Sequence, residues 1–144
     1  MNLKIQPKKL SGSLRVPASK SVTHRALICA ALSRGESTIK NILSCEDSDA
    51  TINALRALGA DISVSGSTAV VKGIENPADA AFIDCLESGS TLRFMIPIAA
   101  ALGVSAEFTG KGKLPTRPIT PFISELSANG ITFESTEMPY HITG

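Results

Sequence analysis

Apolar positions along the chain fall into two rhythms, and the rhythm changes at regular intervals. Val22, Ala26, Leu27, Ala30 and Ala31 recur at helical spacing and predict a helix from about Ser21 to Ser33, stopped at Gly35. Ile52, Leu55 and Leu58 form the stripe of a second helix that starts near Asp47 or Ser48 and ends at Gly59. Between and around these, alternation takes over. Leu3, Ile5, Leu14 and Val16 predict two short strands, 3–7 and 13–17, joined at Ser11-Gly12. Ser37 to Leu43 reads as a strand on Thr38, Ile39 and Ile42, and Asp61–Val64 and Ala69–Val71 flank the hairpin signal Ser65-Gly66-Ser67.

The second half repeats the first. Phe82–Cys85 reads as a strand, Ser88–Leu102 as a helix ending at Gly103, and Ala106–Gly110 as a strand. A helix from Pro118 to Asn129 ends at Gly130, followed by strands Ile131–Glu134 and Tyr140–Thr143. When Arg25 is aligned with Arg93, Gly35 falls on Gly103. A self-similar period of this size decides the architecture: an α/β (α+β) fold of duplicated β-α-β-α-β-β units, about 19–74 and 81–144, with their first helices buried side by side. Residues 1–18 stand outside both units, and Glu75-Asn76-Pro77-Ala78 is the joint between them.

Composition narrows the function. A net charge of +1 removes any bulk electrostatic case for nucleic acid or an acidic membrane surface. Aromatics are 4% of residues with no Trp, too few for base-stacking platforms. Cys29, Cys45 and Cys85 are odd in number and widely spaced, which fits reduced thiols in a cytoplasmic protein better than a disulfide framework or a zinc site. The N-terminal residues lack a signal-peptide core, and no apolar run is long enough to span a membrane.

The candidate chemistry sits at helix starts. Ser19 is a natural N-cap, Lys20 stands beside it, and Ser21 and Arg25 share one helix face. Backbone N–H groups, the helix dipole and two cations together favour a bound anion there. The second unit repeats the device in Ser88-Gly89-Ser90-Thr91-Leu92-Arg93, where Gly89 allows close approach to the backbone. Pro118 suits a first helical turn, which places Arg117 at a third helix start with Lys111 and Lys113 near it. If these starts converge, Lys20, Arg25 and Arg117 form a pocket for more than one phosphate or carboxylate. Glu46, Asp47 and Asp49 are explained by capping and dipole compensation, with a secondary role for the cluster as partner for Lys20. His24 and His141 lack partners at metal-ligand spacing, Ser19 and Ser21 lack a nucleophile-elbow context, and Gly110–Lys113 is not a P-loop.

These residues carry a resemblance. Ser19-Lys20-Ser21-Val22-Thr23-His24-Arg25-Ala26-Leu27, Ala54-Leu55-Arg56-Ala57-Leu58-Gly59, Ser88-Gly89-Ser90-Thr91-Leu92-Arg93 and Thr116-Arg117-Pro118-Ile119 resemble, in order, landmarks of the 5-enolpyruvylshikimate-3-phosphate synthase family. The resemblance implies an inside-out α/β barrel of repeated units around parallel buried helices, with two units present. It implies enolpyruvyl transfer from phosphoenolpyruvate to the 5-hydroxyl of shikimate 3-phosphate, in the shikimate pathway to aromatic amino acids, without metal or organic cofactor. Lys20 would touch both substrates and serve catalysis. Ser21 and Arg25 would hold shikimate 3-phosphate, and Gly89 and Arg117 phosphoenolpyruvate. Glu87, Arg93 and Asp47 would support these contacts from behind.

Two departures accompany it. Leu86-Glu87 stands where family members often carry Gly-Asn, and a carboxylate there is expected to alter affinity for phosphoenolpyruvate or tolerance of its analogue glyphosate. Family members are also roughly three times as long, so the chain is expected to be an N-terminal fragment with half a site. In that reading residues 1–18 are a strand segment of the other domain, 19–144 are part of the N-terminal domain, and the absent remainder of the enzyme is the partner. Uncovered faces would then favour oligomers. Two alternatives stay open. A UDP-N-acetylglucosamine enolpyruvyl transferase-like enzyme would be expected to carry a reactive Cys in the loop holding Arg117, and 111–117 has none. A non-catalytic anion-binding module is the other.

Overall fold

The computed structural model describes residues 3–4, 6–9 and 11–144. Helix α1 (Lys20–Leu32) leads into strand β1 (Glu36–Lys40), and helix α2 (Glu46–Ala57) into a hairpin of β2 (Asp61–Ser65) and β3 (Thr68–Lys72). The second unit runs β4 (Ala80–Asp84), α3 (Gly89–Leu102), β5 (Ser105–Thr109), a 3₁₀ turn (Leu114–Thr116), α4 (Thr120–Ala128), β6 (Thr132–Phe133) and β7 (Tyr140–Thr143).

Each unit builds one sheet. The first has the order β1-β3-β2, all antiparallel, with Val71 opposite both Ser37 and Ile62. Its inner face presents Ile62, Ala69 and Val71 to Leu27 and Ala31 of α1, all of them buried. The second has the order β4-β5-β7-β6. Its β4–β5 pair is parallel and is therefore joined by a crossover, which is α3. Ile83, Ala106, Phe108 and Ile142 face the buried stripe Leu92, Met95, Ile96 and Ala99. Each fully buried side chain of this size stabilises the fold by about 1.5–3 kcal/mol. Helix α2 unites the halves, since it packs against α1, α3 and β4 at once and buries Ala54 and Leu55.

The predicted helices and hairpin are present, and four expectations need correction. Residues 13–17 form no strand and pair with neither sheet, and Leu14 and Val16 are 82% and 71% exposed, so their alternation finds no apolar face to pack on among the described residues. The companion strand 3–7 includes Ile5, which lies outside the described residues; its described positions are not in a strand either. The first unit is therefore α-β-α-β-β as described. The strand predicted to reach Leu43 stops at Lys40, since Asn41 turns the chain at φ +61°, although Ile42 still bonds to Ser67 O at 2.9 Å and is buried. Helix α1 is buried on one side only; Val22 and Leu32 remain exposed, and α2 packs against both α1 and α3. Finally, Pro118 does not open α4. Ile119 caps that helix and Pro121 lies in its first turn, so Arg117 ends the 3₁₀ turn instead.

Candidate anion-binding cleft

Three helix N-termini meet at one end of the molecule. At α1 the Ser19 hydroxyl accepts from the Val22 amide, and at α3 the Ser88 hydroxyl accepts from the Thr91 amide at 3.1 Å. Neither helix has an acidic residue in its first turn, so neither dipole is compensated by its own side chains. Helix α2 differs, with Glu46, Asp47 and Asp49 in its first turn. It supplies the cleft with negative charge. Lys20 Nζ donates to Asp47 Oδ2 at 2.6 Å, tying the start of α1 to the start of α2. That hydrogen bond, with the charge of Asp47, raises the Lys20 pKa above its ordinary 10.5, so the ammonium persists through neutral pH.

The cleft between these helix starts has a volume of about 370 Å³ and is lined by Lys20, Asp47, Glu87, Gly89, Ser90, Arg93, Phe94 and Arg117. Gly89 is its floor. A Cβ built there would lie 2.8 Å from Arg117 Nη1 and 2.9 Å from Arg93 Nη1, so glycine lets two guanidinium groups press on the helix start. Arg93 is braced, donating to Gly89 O and Pro118 O, each at 3.2 Å. The Arg117 guanidinium makes no hydrogen bond or ion pair among the described residues, and is exposed. Arg25 stands at the rim. Its guanidinium donates to Ser21 O at 3.0 Å and lies 5.3 Å from the centre of the Phe94 ring, a cation–π distance. Ser21 is exposed beside it. Lys111 reaches Glu46 at 3.8 Å, and Glu87 is turned toward the loop backbone at Lys113. The structure thus brings together Lys20, Asp47, Glu87, Gly89, Arg93 and Arg117, and leaves Ser21, next to Lys20, and Arg25, one turn further along α1, outside the lining. Larger grooves exist, about 580 Å³ beside Ile119 and Tyr140 and about 440 Å³ against the second sheet; the first shares Arg117 with the cleft but has no second lysine or arginine, and the second has neither.

Beneath the cleft runs a buried polar chain. His24 Nδ1 is 2.7 Å from Thr51 Oγ1, which is 2.7 Å from Thr91 Oγ1, which donates to Ser88 Oγ at 2.7 Å. These four side chains join α1, α2 and α3 just below their N-termini and are at most 1% exposed. Sequence reasoning passed over them as a group. The signal was available, since His24 lies three residues before Leu27, Thr51 four before Leu55 and Thr91 four before Met95. Polar residues in line with an apolar stripe must find one another inside. Burial lowers the His24 pKa below its ordinary 6.5, only partly opposed by Asp47, so the imidazole is neutral. Cys85 is fully buried and its thiol is pushed up to about 12, which makes it inert as a nucleophile. Among the described residues no group of three His, Cys, Asp or Glu side chains is placed to hold a metal ion, and no helix is long and apolar enough to cross a membrane.

The profile of the EPSP synthase (3-phosphoshikimate 1-carboxyvinyltransferase) family matches residues 5–143, nearly the entire sequence. The chain belongs to this family. A 3-phosphoshikimate 1-carboxyvinyltransferase of Clostridium kluyveri is 44% identical over 143 residues, covering 97% of this chain and 34% of that protein. The protein of the same name from Clostridium novyi is 41% identical over 155 residues, covering 99% of this chain and 36% of its own. Among solved structures, an EPSP synthase from Acinetobacter baumannii superposes with a TM-score of 0.78 at 27% identity, covering 92% of this chain and 32% of that one. The chain spans about a third of the length of the curated relatives it matches. The family assignment agrees with the architecture of two sheets and four helices seen among the described residues.

Proposed function

We propose that this chain carries one wall of a site that transfers the enolpyruvyl group of phosphoenolpyruvate to the 5-hydroxyl of shikimate 3-phosphate, with release of phosphate. One observation carries the reading. Lys20, Arg93 and Arg117 converge on helix starts that have no acidic residues of their own, in a chain of the EPSP synthase family. Arg117 and the α3 N-terminus at Gly89 hold the phosphoenolpyruvate phosphate. Ser21 and Arg25 hold shikimate 3-phosphate, and Lys20 lies between the two and touches both. Asp47 orients Lys20, and Arg93 braces Gly89 against the segment at Pro118.

In the reaction the 5-hydroxyl gives up its proton to a base as its oxygen bonds to the substituted enol carbon, while an acid adds a proton to the methylene carbon. Phosphate then leaves as a proton is lost from that methyl group. Negative charge is greatest on the phosphates, and fixed guanidinium and ammonium groups stabilise it without reorganisation. Holding both substrates side by side removes part of the entropic barrier. The facing wall, with its acid and base, belongs in this reading to the part of the longer relatives that these 144 residues do not span. Residues 1–18, with Leu3, Leu14 and Val16 exposed, are assigned to that other domain, and the complete enzyme to the cytoplasm.

The test is a titration of the chain with shikimate 3-phosphate and phosphoenolpyruvate, followed by calorimetry or amide shifts. Arg25→Ala is expected to weaken shikimate 3-phosphate by about 1.5–3 kcal/mol, the worth of a charge-assisted hydrogen bond, and to leave phosphoenolpyruvate nearly unchanged. Arg117→Ala is expected to do the reverse. Shifts that leave Lys20, Arg25 and Gly89 unmoved at millimolar ligand would refute the reading.

A further inference from the structure

Glu87 lines a cleft that gathers cations, where a free carboxylate would repel an anionic ligand. The structure shows this carboxylate engaged. Its Oε1 accepts from the backbone N–H of Lys113 at 3.2 Å. Gly112 is shaped around it: φ is +60°, and a Cβ there would fall 1.6 Å from Oε1 and 2.3 Å from Cδ. Any other residue at 112 would drive the Glu87 side chain off the loop. A second tie runs alongside, from the Lys111 amide to Leu86 O at 2.8 Å. Leu86 itself holds φ +52°, a left-handed conformation that a branched side chain adopts only when its surroundings impose it. The loop then buries Leu114 and closes its 3₁₀ turn with the Arg117 amide donating to Leu114 O at 3.0 Å. From Lys111 to Arg117 the loop therefore hangs from Leu86-Glu87, and its far end delivers a guanidinium to the floor of the cleft at Gly89.

We propose that Glu87 is a positioning residue: its carboxylate latches the 111–117 loop through the Lys113 amide and so fixes Arg117 over the start of α3. The proposal rests on the reading of Arg117 as a phosphate-binding residue. It separates two roles for Glu87 that a single alanine variant would confuse. As a charge, Glu87 weakens anion binding; as a latch, it strengthens it.

Glu87→Ala and Glu87→Gln both remove the charge, and only Gln keeps an acceptor oxygen at the same reach. Their difference isolates the latch. The measurements are inorganic phosphate and phosphoenolpyruvate affinities of the 144-residue chain and the exchange rate of the Lys113 amide. Glu87→Gln should bind at least as tightly as the parent, with Lys113 protected. Glu87→Ala should bind about tenfold more weakly than Glu87→Gln, with Lys113 exchanging about fivefold faster or more, as expected for a lost hydrogen bond. Gly112→Asn is the second route, because asparagine tolerates the left-handed backbone while its Cβ displaces the carboxylate. It should lose Lys113 protection as Glu87→Ala does and bind anions more weakly than Glu87→Ala, because the displaced carboxylate keeps its charge. Equal affinities and equal Lys113 exchange in Glu87→Ala and Glu87→Gln would overturn the latch. If the parent bound neither phosphate nor phosphoenolpyruvate, the anion-site reading would fail by itself, and the Lys113 exchange rates would still decide whether Glu87 holds the loop.

Discussion

His24 shows what burying a polar side chain demands of its neighbours. Its Nδ1 is served by Thr51 at 2.7 Å, but Nε2 is buried and has no partner among the described residues. A neutral ring tolerates this better than a charged one, because an imidazolium would place a second N–H against apolar surroundings. Burial accordingly lowers the pKa below 6.5; Lys20 and Arg25 add to the shift, and Asp47 opposes it. The unfolded chain then binds more protons than the folded one just below pH 6.5. The stability contributed by neutral His24 is complete above that pH and is lost as pH falls toward the depressed value. Urea unfolding at pH 7.5 and 5.5 is expected to show a lower midpoint in acid, with a slope from this group of at most about 1.4 kcal/mol per pH unit. His24→Asn keeps a polar atom near Thr51 and does not titrate, so it should flatten that difference. An equal acid dependence in the variant would assign the effect to other groups.

At the scale of elements, the tightest seam joins the end of α1 to the end of β3. Ile74 N donates to Ala31 O at 2.8 Å and Gly73 N to Gly35 O at 3.0 Å, and a Cβ at Gly73 would lie 1.7 Å from Ser33 O. That obstacle is backbone and cannot rotate away. Gly73→Ala is expected to pry helix from sheet and lower stability by about 1–3 kcal/mol, read as a shift of the urea midpoint. An unchanged midpoint would mean that the seam is more pliable than its geometry. Nothing in the sequence announces this glycine, since its constraint comes from a residue forty positions earlier. What was legible was whatever local chemistry decides: the stripes of α1, α2 and α3, the stop at Gly103 with its left-handed φ of +69°, and the Gly66 hairpin. The Lys20–Asp47 contact could be suspected from charge and capping at two helix starts. The start of α4 was misread because Thr116-Arg117-Pro118 offered a plausible first turn, whereas burial of Leu114 and Ile119 favours a 3₁₀ turn followed by a later helix. Residues 13–17 alternate as a strand should, yet alternation supplies only the side-chain pattern and not the partner edge a strand requires.

For the whole molecule, the cleft gathers charged side chains but does not enclose the space between them. Its cations are in place, while its two carboxylates are occupied: Asp47 holds Lys20, and Glu87 holds the Lys113 amide. Enolpyruvyl transfer has to deliver a proton to the methylene carbon and remove one later, and no group in the described cleft stands free for both tasks. Water entering from the open side would also screen the guanidinium groups, whose effect on a transition state grows as the surroundings become less polar. The 144-residue chain by itself is therefore expected to bind its ligands without turning them over. The assay is phosphate release from phosphoenolpyruvate that depends on shikimate 3-phosphate. The remaining two thirds of a longer relative, supplied as a second polypeptide, should restore part of the activity if it docks on the open side and covers Leu14 and Val16. Restored turnover should be lost in Lys20→Ala. Turnover by the 144-residue chain with nothing added, abolished by the same substitution, would place the proton-transferring groups within these two units and remove the need for a facing wall.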